Sequence, residues 1–127
     1  MSGISKATVV QAPNGEPPVE FYTAERCYIT ELSNHGGDQI LSVARARVEP
    51  GVRTQLHSLS VTERYVIEQG RGMLELGEGQ KYRVGPGDSA LIPAGCAQRI
   101  ENIGDVDLLF LCVCSPRFLP EHYLNLE

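Results

Sequence analysis

From Cys27 to Cys114 the chain runs in short segments of alternating apolar and polar residues, separated by glycine, proline or aspartate. Alternation with a period of two puts one set of side chains on a core face and the other toward water, so each run predicts a β-strand. The predicted strands cover residues 27–32, 39–49, 55–59, 63–68, 73–76, 80–84, 89–92, 97–101 and 107–114. Gly77-Glu78-Gly79 between two of them is a hairpin signal. Pro50-Gly51, the Gly70 and Gly72 bracket, Gly85-Pro86-Gly87-Asp88 and Pro93-Ala94-Gly95 mark further turns. No segment keeps a helical period over more than two turns. Many short strands at regular spacing predict an all-β sandwich or barrel.

The ends read differently. Residues 1–20 form an arm without periodicity, broken at Ala12-Pro13-Asn14-Gly15-Glu16-Pro17-Pro18. Residues 21–116 hold the strands. Residues 117–127 carry Phe118, Leu119, Tyr123 and Leu124 without a barrel strand's pattern. Left in water these side chains would form an exposed apolar patch. The tail is therefore expected to pack on its own barrel, on a partner subunit, or on both.

Length and charge narrow the picture. At 127 residues the chain is one domain with room for a core. A net charge of -5 without a Lys/Arg cluster argues against nucleic acid or an anionic membrane as partner. The longest apolar run, Leu108 to Cys114, falls far short of the roughly 20 residues of a membrane helix. Met1 to Ala7 holds no hydrophobic stretch of signal-peptide length, so a cytoplasmic location is expected. The four cysteines, Cys27, Cys96, Cys112 and Cys114, include no Cys-x2-Cys pair and read as free thiols.

Two glycine-framed segments carry the candidate chemistry. The first reads Gly51-x5-His57-x-Leu59-x3-Glu63-x6-Gly70, the second Gly87-x5-Pro93-x-Gly95-x2-Gln98-x3-Asn102. On a strand, residues two apart share a face. An inward His57 brings Gln55 and Leu59 with it, and an inward Glu63 brings Tyr65 and Ile67. Gln98 arrives from another strand. The expected pocket therefore gathers His57, Glu63, Tyr65 and Gln98, with Gln55, Leu59 and Ile67 beside them.

These spacings resemble the two signature motifs of the cupin superfamily, G-x5-H-x-H-x3-E-x6-G and G-x5-P-x-G-x2-H-x3-N. The resemblance covers residues 39–116 and extends to small cupins described as phosphomannose-isomerase-like. It implies a single-domain jelly-roll β-barrel, a double-stranded β-helix, that often forms a homodimer. It also implies a divalent metal (Mn, Fe, Ni or Zn) on two histidines, a glutamate and a last histidine. Carried over, His57 and Glu63 match, Leu59 replaces an imidazole, and Gln98 offers an amide oxygen. His57, Glu63 and Gln98 make an incomplete shell, so metal is expected to bind weakly or not at all.

Two functions follow. In one, the protein is an enzyme acting on a small polar metabolite, a sugar or an oxo acid, as a metal-assisted isomerase, epimerase or lyase. His57 or Glu63 would then move a proton next to a carbonyl, and Tyr65 would donate to the developing oxyanion. In the other, the barrel is a non-catalytic binding module for a small molecule or a metal. His35 and His122 read as solvent-facing or structural. Arg45 and Arg47 reach either the barrel mouth or an outer surface. Cys96 reads as a packing residue near the pocket rim.

Overall fold

The computed structural model describes residues 6–127; the first five residues of the expected arm lie outside the described residues. Among the described residues, eleven strands form two antiparallel sheets. In chain order they are β1 (Phe21–Tyr22), β2 (Tyr28–Ser33), β3 (Ser42–Val48), β4 (His57–Leu59), β5 (Thr62–Gln69) and β6 (Gly72–Leu76). Then follow β7 (Gln80–Val84), β8 (Ser89–Ile92), β9 (Gln98–Asn102), β10 (Leu108–Ser115) and β11 (Tyr123–Asn125). One sheet has the order β1-β2-β3-β10-β5-β8 and the other β11-β4-β9-β6-β7. The pair makes an all-β jelly-roll barrel.

Alternation does what the sequence pattern requires. On β5, Glu63, Tyr65 and Ile67 are buried while Arg64 and Glu68 face out. On β9, Gln98, Ile100 and Asn102 are buried. The main core gathers Val48, Ile67, Leu74, Ile92, Ile100, Leu108 and Phe110 between the sheets. Tight turns sit at the glycines. Gly70 has φ +85°, and a Cβ there would come within 2.9 Å of the Asp107 carbonyl, so no other residue fits.

The motif asparagine is structural. Asn102 donates from Nδ2 to the carbonyls of Val48 and Val106, each at 2.8 Å, and accepts from the Gly104 N–H at 2.9 Å. Gly95 N–H donates to the Leu59 carbonyl at 2.7 Å, which ties the turn of the second motif to the strand of the first.

The ends differ from their sequence pattern. Residues 6–20 contain no strand and are mostly exposed. Two strands go beyond the pattern, β1 and β11. The tail is a strand of the barrel itself: Tyr123, Leu124 and Asn125 pair with Leu59, Ser58 and His57. Phe118 and Tyr123 pack on Leu59, Val61 and Cys114. Backbone pairing with β4 places the tail, and that depends on a distant partner rather than on its own periodicity.

Candidate active site

One end of the barrel encloses a cavity of about 320 Å³. His57, Leu59, Glu63 and Tyr65 line it, as do Glu25, Glu31, Cys27, Cys112, Cys114 and Tyr123. Gln98 is fully buried behind this wall, and neither Gln55 nor Ile67 lines the cavity. Ile67 lies one pair further along β5, inside the apolar core. Gln55 precedes β4, so strand alternation does not yet govern its side chain.

Gln55 instead holds three other parts together. Its N–H donates to the Glu25 carbonyl at 3.0 Å. Its own carbonyl accepts from His57 Nδ1 at 2.8 Å, and its side-chain oxygen accepts the Tyr123 hydroxyl at 2.6 Å. A carbonyl only accepts, so Nδ1 of His57 carries the proton and Nε2 presents its lone pair to the cavity. The Tyr123 ring stacks on the imidazole with centroids 4.7 Å apart. Burial lowers the His57 pKa, and the Gln55 hydrogen bond only partly opposes this. His57 is therefore neutral near pH 7.

Glu25 is the residue that sequence reading missed. It sits in the tight turn between β1 and β2, where Thr23 N–H and Oγ1 both donate to the Cys27 carbonyl at 2.9 Å. Arg26 adopts φ +69° there, and its guanidinium Nε donates to the Arg53 carbonyl at 2.9 Å. This turn places Glu25 Oε1 3.8 Å from His57 Nε2. Burial raises the Glu25 pKa to about 7. A signal was present in the chain: Phe21, Thr23, Glu25, Cys27, Ile29 and Glu31 are alternate residues, and all line the cavity. The period reads clearly only from Cys27 onward, because the turn interrupts it.

Glu63 lies deeper, 6% exposed. Burial, then the Glu25 carboxylate, raises its pKa to about 7; Gln98, Cys114 and Cys112 partly oppose the shift. Its Oε2 accepts from the Cys114 thiol at 3.8 Å, while Oε1 has no hydrogen-bond partner. Tyr65 donates its hydroxyl to Gln98 Oε1 at 2.7 Å. The phenol is fully engaged and its pKa is pushed well up by burial. Tyr65 thus orients Gln98 and does not offer a free donor to the cavity.

The metal set implied by the resemblance can be tested against these contacts. Gln98 spends its amide oxygen on Tyr65. Leu59, 4% exposed, fills the place of an imidazole. Among the described residues no three His, Cys, Asp or Glu side chains converge as ligands. Metal sites that work in catalysis keep about three protein ligands. The donors present do not fit a divalent metal.

The remaining candidates lie away from the cavity. Arg45 pairs with Glu68 at 2.7 Å on the outer face. Arg47 pairs with Glu20 and Asp107 and lies over the Tyr28 ring. His35 Nδ1 accepts from Gly37 N–H and His122 Nδ1 from Leu119 N–H, so both are structural. Cys96 is half-buried against the core, its thiol on the Ala97 carbonyl. All four cysteines are free.

The Cupin domain family matches residues 44–114, more than half of the chain. Uncharacterized protein MJ1618 of Methanocaldococcus jannaschii is 40% identical over 87 residues, 68% of this chain and 69% of that protein. Oxalate decarboxylase OxdC of Bacillus subtilis is 26% identical over an alignment that takes in this whole chain but 36% of that protein. In three dimensions, the capsular polysaccharide assembling protein CapF from Staphylococcus aureus superposes with a TM-score of 0.76 at 22% identity, covering 88% of this chain and 32% of CapF. KdgF from Halomonas sp. gives 0.69 at 20% identity, covering 79% and 89%. This chain spans about a third of OxdC and of CapF. With its two glycine-framed motifs, its two-sheet barrel and these relatives, the chain belongs to the cupin family.

Proposed function

We propose that the barrel is a cup for a small polar metabolite of the sugar class, and that Glu25 and His57 perform proton transfer on it without a divalent metal. One observation carries the reading: a neutral imidazole and a carboxyl group titrating near pH 7 face each other at 3.8 Å in the cavity. A base whose pKa matches the working pH is the most effective proton carrier. Glu25, 26% exposed at its side chain, is open to a ligand, whereas Glu63 is nearly sealed. Glu25 therefore takes the role of base beside a sugar carbonyl, and His57 positions it or relays its proton. No Lys or Arg lines the cavity, which disfavours an anionic oxo acid.

A binding module without catalysis is the second reading, favoured by Leu59 standing where the family places an imidazole. Deuterium exchange separates the two. A panel of ketoses and aldoses in heavy water is followed by proton NMR with the full chain. The enzyme reading expects exchange next to the carbonyl, reduced at least about a hundredfold in Glu25→Gln. Binding without exchange would establish the module instead.

A further inference from the structure

The cavity has an unusual balance of charge. Three glutamates, Glu25, Glu31 and Glu63, line it, and no lysine or arginine does. The remaining titratable groups cannot supply a positive charge. Burial keeps His57 neutral. It pushes the Cys27 thiol to about 12 and raises Cys112, Cys114, Tyr65 and Tyr123 as well, so these stay protonated and neutral. Glu25 and Glu63 are the groups that change charge near neutrality.

Glu63 adds a second, independent observation. It is more than nine-tenths buried, lines the cavity, and leaves Oε1 without a hydrogen-bond partner. A buried acceptor left open is costly unless something donates to it. The neighbouring Gln98 side chain offsets part of that cost, and the donor set does not fit a metal.

Part of the wall is aromatic, beside aliphatic residues such as Ile29, Val43 and Leu59. Phe21 is half exposed, Phe118 and Tyr123 are half-buried, and all three face the cavity. Aromatic faces attract an organic cation, and carboxylates supply its counter-charge. An anion is repelled by the same groups, and a neutral hydroxyl gains only a hydrogen bond.

We propose that the cup takes a small metabolite bearing a protonated amine among its hydroxyl groups, held by Glu25 against the wall of Phe21, Phe118 and Tyr123, with Glu63 as a buried carboxyl group behind it. This rests on the small-molecule reading above and narrows its ligand class. Entry of the ammonium group favours the ionised carboxylates, so a carboxyl proton leaves as the ligand arrives.

Calorimetric titration of the full chain at pH 6.5 with probes on one ring frame tests this: glucosamine, glucose and glucuronate, with ethanolamine, choline and Mn²⁺ alongside. Glucosamine should bind at least about tenfold more tightly than glucose. Its apparent heat should vary with the buffer's ionisation heat, which reports proton release. Glu63→Gln and Glu25→Gln should each reduce the preference for glucosamine over glucose. Equal affinity for glucosamine and glucose overturns the amine and leaves the sugar-class reading standing. Preference for glucuronate or Mn²⁺ overturns it as well. Failure of glucosamine, ethanolamine and choline to bind at about 10 mM also overturns it; failure of glucose too takes the broader reading with it.

Discussion

Along β10 the inward side chains run Cys114, Cys112, Phe110, Leu108; the paired positions on β3 are Ser42, Ala44, Ala46, Val48. On β5 the partners of Cys114, Cys112 and Phe110 are Glu63, Tyr65 and Ile67. The same three strands thus build two different interiors. At one end the rows are small or polar and leave a cavity of about 320 Å³. At the other they are large and apolar, and Val48, Ile100 and Leu108 have no measurable exposure. The difference teaches that backbone pairing along these strands is common to both ends, and that their side-chain size and polarity set one end apart as core and the other as site. Each fully buried aliphatic side chain at the closed end contributes about 1.5–3 kcal/mol to the fold. At the open end, burial of Glu25 and Glu63 opposes folding whenever they ionise.

The largest way to break this comparison lies at the closed end. Leu74, 1% exposed, packs within the main core. Leu74→Ala should cost about 3 kcal/mol in urea unfolding, through lost burial and the cavity left behind. The loss should be the same at pH 5 and pH 8, since no titrating group is involved. A pH-dependent loss would show that the two ends are not independent.

A smaller effect of opposite sign belongs to the open end. Glu63 titrates near pH 7 in the fold and at 4.5 when free of it. The folded state therefore holds the proton more tightly than the unfolded chain. The contribution of this proton is complete below pH 4.5 and is lost as pH rises to about 7. Glu63→Gln removes the titration. The variant should match the wild type near pH 4.5 and exceed it at pH 8 by about 1–2 kcal/mol, after allowance for the new amide hydrogens. Unfolding curves at the two pH values measure it, and a gap that fails to widen with pH contradicts the assignment.

The smallest effect sharpens the contrast from outside. Arg45 and Glu68 pair at 2.7 Å with side chains 41% and 34% exposed. Water and salt screen such a pair, so Arg45→Ala should change stability by less than about 0.5 kcal/mol. A loss above about 1 kcal/mol would mean that the outer face carries weight that surface ion pairs rarely do.

Most of the barrel was legible because its strands alternate and its turns are written in glycine and proline. The strands predicted at 80–84 and 89–92 coincide with β7 and β8. Motif spacing pointed to His57, Glu63 and Gln98, and all three are buried. Alternation could not find β1, with two exposed residues, or β11, with a single half-buried one. β1 takes its place from the next strand, β2, and β11 from β4, far back along the chain. Glu25 escaped for a related reason. The turn that aims it at His57 depends on Arg26 at positive φ and on the Arg53 carbonyl, neither of which has a periodic signature. The open end differs from the closed one in this respect as well: its geometry is assembled from loops and termini, and the core from strands.

The stacking of Tyr123 on His57 has an optical consequence. The chain has five tyrosines and no tryptophan, so its intrinsic emission belongs to tyrosine alone. Two of the five, Tyr65 and Tyr123, line the cavity, and Tyr123 also donates its hydroxyl to Gln55. A guest that disturbs the imidazole or that hydrogen bond alters the surroundings of a fluorophore already in place. The protein carries its own label at the mouth of the cup.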